Sequence, residues 1–223
     1  MQTGDPMTAA FQDRREAGQR LAEAMASQDL TNVVVLALPR GGVPVAAPVA
    51  RALGAPLDLL LVRKIGAPGQ PELAVAAVAD GADPVLACDD ETMALTGASP
   101  QYIQRELPAH LREIERRRKL YLKGRPPIPL AGKTAVLVDD GIATGTTVRA
   151  ALMALRLRGP ARVILAVPVA SQEALHALRP EVDALVCLET PAWFGAVGAH
   201  YRYFPSVSDD EVVALMDEPS GAH

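Results

Sequence analysis

The sequence predicts an α/β protein with a mostly parallel sheet, and three observations carry that expectation. Val- and Leu-rich runs of strand length alternate with alanine-rich stretches of helical period, the order in which parallel strands are joined by covering helices. From residue 134 the alternation is regular: strand 134–139, helix 146–158, strand 162–167, helix 171–178, strand 183–188. The apolar content is 49% of 223 residues yet only 4% is aromatic, so the core is expected to be aliphatic.

The remaining elements follow from local signals. Phe11, Leu21 and Met25 with intervening alanines fit an amphipathic helix from Thr8 to Ser27, and the ends 1–7 and 217–223 are expected to fray. "VVVLAL" (33–38) reads as a buried strand and "PRGG" as the turn after it. Residues 43–53 read as a helix, with Pro44 in its first turn and Gly54 as its stop, although Pro48 interrupts the pattern. "LDLLLVRK" (57–64) predicts one strand leading into the loop "IGAPGQPE", and "LAVAAVA" and "DPVLACD" predict a hairpin around Asp80–Gly81. A charged helix is expected over 100–123, interrupted or opened near Pro108, before a Pro-rich connection.

Composition excludes several classes. A net charge of −4 gives no global attraction to nucleic acid or anionic membrane. Cys88 and Cys187 stand far apart with no C-x-x-C spacing, which argues against a disulfide framework or a zinc site and fits a reducing cytoplasm. No apolar run approaches the ~18 residues of a membrane span, and the polar N-terminus does not resemble a secretory leader. His110, His176, His200 and His223 show no ligand spacing.

The stretch "VLVDDGIATGTTVRAAL" (136–152) demands a chemical explanation. An aliphatic strand ends on Asp139 and Asp140, and a row of small and hydroxylated residues leads into a helix. Successive backbone N–H groups over Ala143–Thr147 can converge on an anion at the positive end of that helix. Thr144, Thr146 and Thr147 add hydroxyl donors, and Gly141 and Gly145 allow close approach. Two carboxylates would repel a phosphate, but they accept hydrogen bonds from paired hydroxyls or hold a hydrated cation. A ribose 5-phosphate presents both demands one sugar apart. The same string also fits a Walker B strand, but "AGKT" (131–134) lacks the first glycine of a P-loop, where Pro127 stands, and precedes the strand instead of following it.

This string resembles the PRPP-binding motif of the type I phosphoribosyltransferases. "LPRGG" (38–42) is similar to that family's pyrophosphate loop, and "VRKIGAPGQPELAVAAV" (62–78) to its second strand and flexible loop. In detail the chain resembles a bacterial group of predicted phosphoribosyltransferases that shares the long charged helix. The resemblance implies the type I phosphoribosyltransferase fold: a five-stranded, mostly parallel sheet flanked by helices, with a small C-terminal hood. It divides the chain into a core at 8–189 with a charged helical insertion near 90–125, a hood at 190–216, and flexible ends.

The resemblance also implies roles. Asp139 and Asp140 would hold the ribose hydroxyls, and Gly141 and Ala143 through Thr147 the 5-phosphate. Arg40, Gly41 and Gly42 would face pyrophosphate, with an Arg40–Gly41 peptide able to adopt the cis form. Arg63 and Lys64 would stabilise the leaving pyrophosphate, Arg63, Lys64, Asp139 and Asp140 forming the catalytic set. Mg²⁺ would be held mainly by substrate oxygens, with Asp139 and Asp140 reaching it through water and no ligand set from the protein alone. "PAWFGAVGAHY" (191–201) resembles the base-stacking hood of purine-type members, making Trp193, Phe194 and Gly195 the acceptor candidates. Those relatives carry an acid where His200 or Tyr201 stands here, which leaves the base open. Five of the chain's aromatics fall in the longer tail over 189–216, as expected of a lid or platform.

The implied activity is transfer of phosphoribose from PRPP to a nitrogenous acceptor, a nucleobase, in a cytoplasmic homodimer. The alternative is a PRPP-sensing regulatory or RNA-binding protein. Its one sequence support is the helix over 112–125, with Arg112, Arg116, Arg117, Arg118, Lys119, Lys123 and Arg125 against Glu113 and Glu115. That run reads equally as a solvated face.

Overall fold

The computed structural model describes residues 9–26, 28, 30–80 and 84–218. Five strands form the main sheet: β1 (Val33–Ala37), β2 (Leu57–Leu59), β6 (Thr134–Val138), β7 (Arg162–Val169) and β8 (Ala184–Glu189). Their order is β2-β1-β6-β7-β8 and every pairing is parallel. A second sheet, antiparallel, holds β3 (Val62–Ala67), β4 (Gln70–Ala79) and β5 (Val85–Cys88) in the order β3-β4-β5. The helices are α1 (Arg14–Met25), α2 (Val43–Ala52), α3 (Asp90–Thr96), α4 (Pro100–Leu122), α5 (Thr146–Arg156), α6 (Gln172–Leu178) and α7 (Asp209–Asp217).

The alternation of side chains along each strand divides the core in two. Val35, Ala37, Val136, Val138, Ile164 and Ala166 face one side, where α1, α2 and α7 supply Leu21, Val45, Val49 and Val212. Val34, Leu36, Ala135, Leu137, Val163 and Leu165 face the other, against Val148, Leu152 and Leu155 of α5 and Leu178 of α6. Both faces are covered, which is why these strands read as unbroken aliphatic runs.

Residues 57–64 do not form one strand. The chain leaves the parallel sheet at Leu60, whose N–H still reaches Ala37 O at 3.0 Å. At Leu61 it exchanges bonds with Asp80 across the second sheet: Asp80 N to Leu61 O at 3.0 Å, and Leu61 N to Asp80 Oδ1 at 3.2 Å. The expected hairpin has its strands paired from Ala79↔Val85 onward, and its turn lies outside the described residues.

Helix α4 runs unbroken through Pro108. That residue is exposed, so the carbonyl one turn earlier can be hydrated and the lost hydrogen bond is tolerated. Ile103 on one side of it packs with Ile65 and Val75 of the antiparallel sheet, and Ile114, Tyr121 and Leu122 on the other side join the main core. The helix thus bridges both sheets. Of the ends expected to fray, 1–7 and 219–223 lie outside the described residues, whereas Glu218 pairs with Arg51 at 2.5 Å and Asp217 with Lys123 at 2.6 Å.

Candidate active site

Strand order reverses between β1 and β6: β2 lies to one side of β1, while β6, β7 and β8 run to the other. Ligands of open parallel sheets bind outside the carboxyl ends of strands at such a reversal. The two loops leaving there are Leu38–Gly42, after β1, and Asp139–Gly145, after β6. They are tied at their base by Leu38 N to Val138 O, 2.9 Å.

Glycine is required where they meet. A Cβ on Gly41 would stand 2.2 Å from Asp140 Oδ2, so this carboxylate lies directly on the first loop's backbone. Gly145, at φ +77°, turns the second loop into α5 through a conformation that other residues resist. Among the described residues nothing accepts from the N–H groups of Ala143, Thr144, Gly145, Thr146 or Thr147. Thr144 Oγ1 and Thr146 Oγ1 stand 3.3 Å apart beside them. A run of unspent donors at a helix start is a receptor for an anion.

The acids sit beside this cradle. Asp139 Oδ1 accepts only the N–H of Asp140, at 2.9 Å. Burial first and the Asp140 charge second push the Asp139 carboxyl well above the usual carboxylate range. Burial also raises Asp140, against the pull of Arg14. Arg14 Nε bonds Asp140 Oδ2 at 2.8 Å. Tyr201 donates its hydroxyl to Asp140 O at 2.5 Å, and its own titration is pushed upward by burial and then by the Asp140 charge. No described donor reaches Asp139 Oδ2 or Asp140 Oδ1, the two oxygens left for a ligand's hydroxyls or hydrated cation. Among the described residues no group of three or more His, Cys, Asp or Glu could hold a metal.

Arg63 and Lys64 on β3 line a cavity of about 590 Å³ together with Pro39 of the first loop and Thr147 in the first turn of α5. Glu106, His110 and Arg117 of α4 close it from the other side. Arg63 Nε reaches His110 Nδ1 at 3.5 Å, and burial and then the Arg63 charge hold His110 below its usual pKa.

A family model, the phosphoribosyl transferase domain, matches residues 8–202. The chain belongs to the phosphoribosyltransferase family. Two Mycobacterium tuberculosis relatives, "Putative phosphoribosyl transferase MT0597" and "Putative phosphoribosyl transferase Rv0571c", are each 47% identical over 210 residues, covering 93% of this chain and 46% of theirs. The chain thus spans about half the length of these curated relatives. The crystal structure of TT1426 from Thermus thermophilus is 45% identical with a TM-score of 0.85, over 92% of this chain and 97% of that one. A hypothetical protein from Neisseria gonorrhoeae, solved with bound ppGpp, matches at TM-score 0.50 and 15% identity over 96% of this chain and 98% of that one, a likeness of fold alone. The architecture is the type I phosphoribosyltransferase fold, and the domain is a phosphoribosyltransferase by family.

Against this phosphoribosyltransferase frame, most predicted site residues come together at the strand-order reversal. Three findings differ in detail. The cis peptide lies at Pro39–Arg40, one residue before the expected bond. The Arg40 guanidinium bonds Asp209 Oδ1 of α7 at 3.3 Å, and Tyr121 of α4 donates to the same oxygen at 2.7 Å. The hood aromatics divide: Trp193 is 85% exposed, whereas Tyr201 is buried against Phe11 and Phe204. Phe194 is half-buried, its ring 5.1 Å from that of His200, and its carbonyl lies 2.8 Å from His200 Nε2. A Cβ on Gly141 would meet Val197 Cγ1 at 2.6 Å, so the hood leans on the second loop.

Sequence reasoning missed Arg14, Tyr201 as a partner of Asp140, and the α4 wall of the cavity. Arg14 gives no local signal, since its partner is 126 residues away. Glu106 and His110 share an i, i+4 spacing with Tyr102, a periodicity that could have placed them on one face.

Proposed function

We propose that this domain transfers the phosphoribosyl group of PRPP to a ring nitrogen or amine of a nucleobase-like acceptor, releasing pyrophosphate. The observation that carries the reading is the pair of loops at the strand-order reversal. One has five unspent N–H donors and, beside them, two acids each with an oxygen lacking a described donor. The cradle over Ala143–Thr147 takes the 5-phosphate; Asp139 Oδ2 and Asp140 Oδ1 take the ribose hydroxyls. C1 then faces the first loop, where Arg40, Gly41 and Gly42 meet the pyrophosphate and Arg63 and Lys64 stand across the cavity.

The C1–O bond breaks with its electron pair leaving on pyrophosphate, the acceptor nitrogen's lone pair forms the new C1–N bond, and the proton that nitrogen carried passes to pyrophosphate or water. Fixed cations near the leaving oxygens stabilise charge that develops only in the transition state. Orientation of the sugar supplies the rest. Mg²⁺, held by substrate oxygens and through water by Asp139 and Asp140, would neutralise pyrophosphate charge. The hood, with Phe194, Trp193 and Gly195, receives the acceptor on the face of C1 opposite the pyrophosphate.

The regulator reading loses support from the basic helix. Arg116 and Arg117 both bond Glu113, Lys119 bonds Glu115, Lys123 bonds Asp217, and the half-buried Arg118 bonds Asp80 and lies near Asp58. Pyrophosphate release followed over a panel of nucleobases and amines, with PRPP and Mg²⁺, tests the proposal. Turnover with at least one acceptor is expected. Tight PRPP binding with no turnover for any acceptor would return the case to a sensor.

A further inference from the structure

The Asp140 carboxylate is held by a residue from the other end of the chain. Arg14 opens α1 and is 9% exposed. Its Nε bonds Asp140 Oδ2 at 2.8 Å, its Nη1 bonds Pro205 O at 2.7 Å, and its guanidinium carbon lies 3.6 Å from the centre of the Phe204 ring. Phe204 stacks in turn on Tyr201, 4.8 Å between centroids, and Tyr201 bonds the Asp140 carbonyl. One buried guanidinium therefore joins the first helix, a strap of the hood at residues 204–205 and the ribose-side acid.

The consequence for Asp140 is geometric. Its Oδ2 bonds Arg14 and lies directly against the bare Cα of Gly41. With that oxygen occupied, the plane of the carboxylate is set and Oδ1 is the oxygen left for a hydroxyl. An arginine suits this position because its planar fork bonds the acid and the Pro205 carbonyl at once while stacking on Phe204, which a lysine cannot do. We infer that Arg14 is a positioning residue for the ribose subsite: it aims Asp140 Oδ1 at the sugar and makes that aim depend on the strap at Phe204–Pro205.

This inference rests on the proposed function, and calorimetry separates the two. Wild type, Arg14→Met, Arg14→Lys, Asp140→Asn and the Arg14→Met/Asp140→Asn double variant are titrated with PRPP in the presence of Mg²⁺ and with inorganic phosphate. Arg14→Met is expected to weaken PRPP about tenfold or more while leaving phosphate within about twofold. The double variant should bind PRPP no more than about twofold weaker than Asp140→Asn alone, because Arg14 acts through Asp140. Arg14→Lys should fall between wild type and Arg14→Met and supplies the readout if the methionine variant does not fold. In turnover, the loss should appear in the KM for PRPP more than in kcat. Equal losses for both ligands, losses that multiply in the double variant, or a lowered melting temperature with unchanged PRPP affinity would each reduce Arg14 to a structural staple and overturn the inference. A wild-type chain that does not bind PRPP overturns both this inference and the function beneath it.

Discussion

Among the described residues, the carboxylate pairs Asp58/Asp80 and Asp139/Asp140 are treated in opposite ways. Asp58 and Asp80 are each 3% exposed, and all four of their oxygens have donors. Leu59 N and Ile128 N bond Asp58 at 2.8 Å each, Leu61 N bonds Asp80 at 3.2 Å, and Arg118 bonds Asp80 and approaches Asp58 at 3.8 Å. Arg118 also bonds Arg125 O, and Arg125 bonds Met216 O, so this pair fastens α4 and α7 to the junction of the two sheets. Asp139 and Asp140 have one oxygen donated to and one not, apiece. The satisfied pair belongs to the fold; the half-satisfied pair is, on the proposed function, completed by the ligand.

The largest expected effect breaks the half-satisfied pair. Asp139→Asn with Asp140→Asn removes two charge-assisted acceptors from the ribose hydroxyls, each worth roughly 1.5–3 kcal/mol, so PRPP affinity should fall by at least about a hundredfold. Inorganic phosphate should bind nearly as before, since its donors are the loop's N–H groups. Stability should change little, because relief of the repulsion between the two acids is offset by the lost Asp140 charge beside the buried Arg14. Calorimetric titration and a thermal melt read all three. Equal losses for PRPP and phosphate would mean that the acids only shape the loop.

The second prediction concerns the satisfied pair. Burial pushes Asp80 up to about 6, against the pull of Arg118 and Arg158. The folded state therefore binds this proton more tightly than the unfolded chain, in which the group titrates near 3.8. The stability it contributes is complete below pH 3.8 and is lost as pH rises through about 6, by at most roughly 3 kcal/mol. Asp80→Asn should flatten that part of the stability profile, measured as urea midpoints from pH 4.5 to 7.5. Identical pH slopes in wild type and variant would show that Arg118 fully compensates the buried charge.

The contrast also explains what could be read in advance. The cradle over Ala143–Thr147 was legible because its chemistry is local: backbone donors, small residues and hydroxyls within one loop. The parallel sheet was legible because two-sided burial leaves unbroken aliphatic runs. Two helices that were not placed individually, α3 within the expected helical insertion and α7 within the hood, had signals in plain view. α3 has Asp89 capping Thr92 N at its start and Gly97, at φ +71°, at its end, and α7 opens on Ser208 with Glu211 three residues on. The split between β2 and β3 had none, because residues 59–62 of "LDLLLVRK" are an unbroken apolar run across the split and only the Asp80 bonds break it. Nor could Arg14 be found, since its role depends on bringing residues 14, 140 and 205 together.

The third prediction sharpens the same contrast in the hood, where Phe194 is partly packed within the fold and Trp193 stands open. Phe194 contributes to the cluster of Phe11, Tyr201 and Phe204 as well as to the proposed acceptor face. Phe194→Ala should therefore act twice, lowering the melting temperature and raising the acceptor KM by roughly tenfold, within the 1–3 kcal/mol range of an aromatic stacked on a base. PRPP affinity should stay within about threefold of wild type, because its contacts lie on the other side of C1.

Trp193→Ala is the smallest effect and separates the two roles. With 85% of its surface exposed, the indole gives up little buried area, so the melting temperature should not move measurably. If the open ring closes over the acceptor, the KM for that acceptor should rise by a few-fold, less than for Phe194, because an exposed ring must be ordered before it can stack. PRPP affinity should be unchanged. Steady-state kinetics with the best acceptor from the pyrophosphate-release panel decides the matter. A rise at Phe194 with none at Trp193 would confine acceptor binding to the packed part of the hood. A larger rise at Trp193 than at Phe194 would make the exposed indole the stacking surface and leave Phe194 as its support.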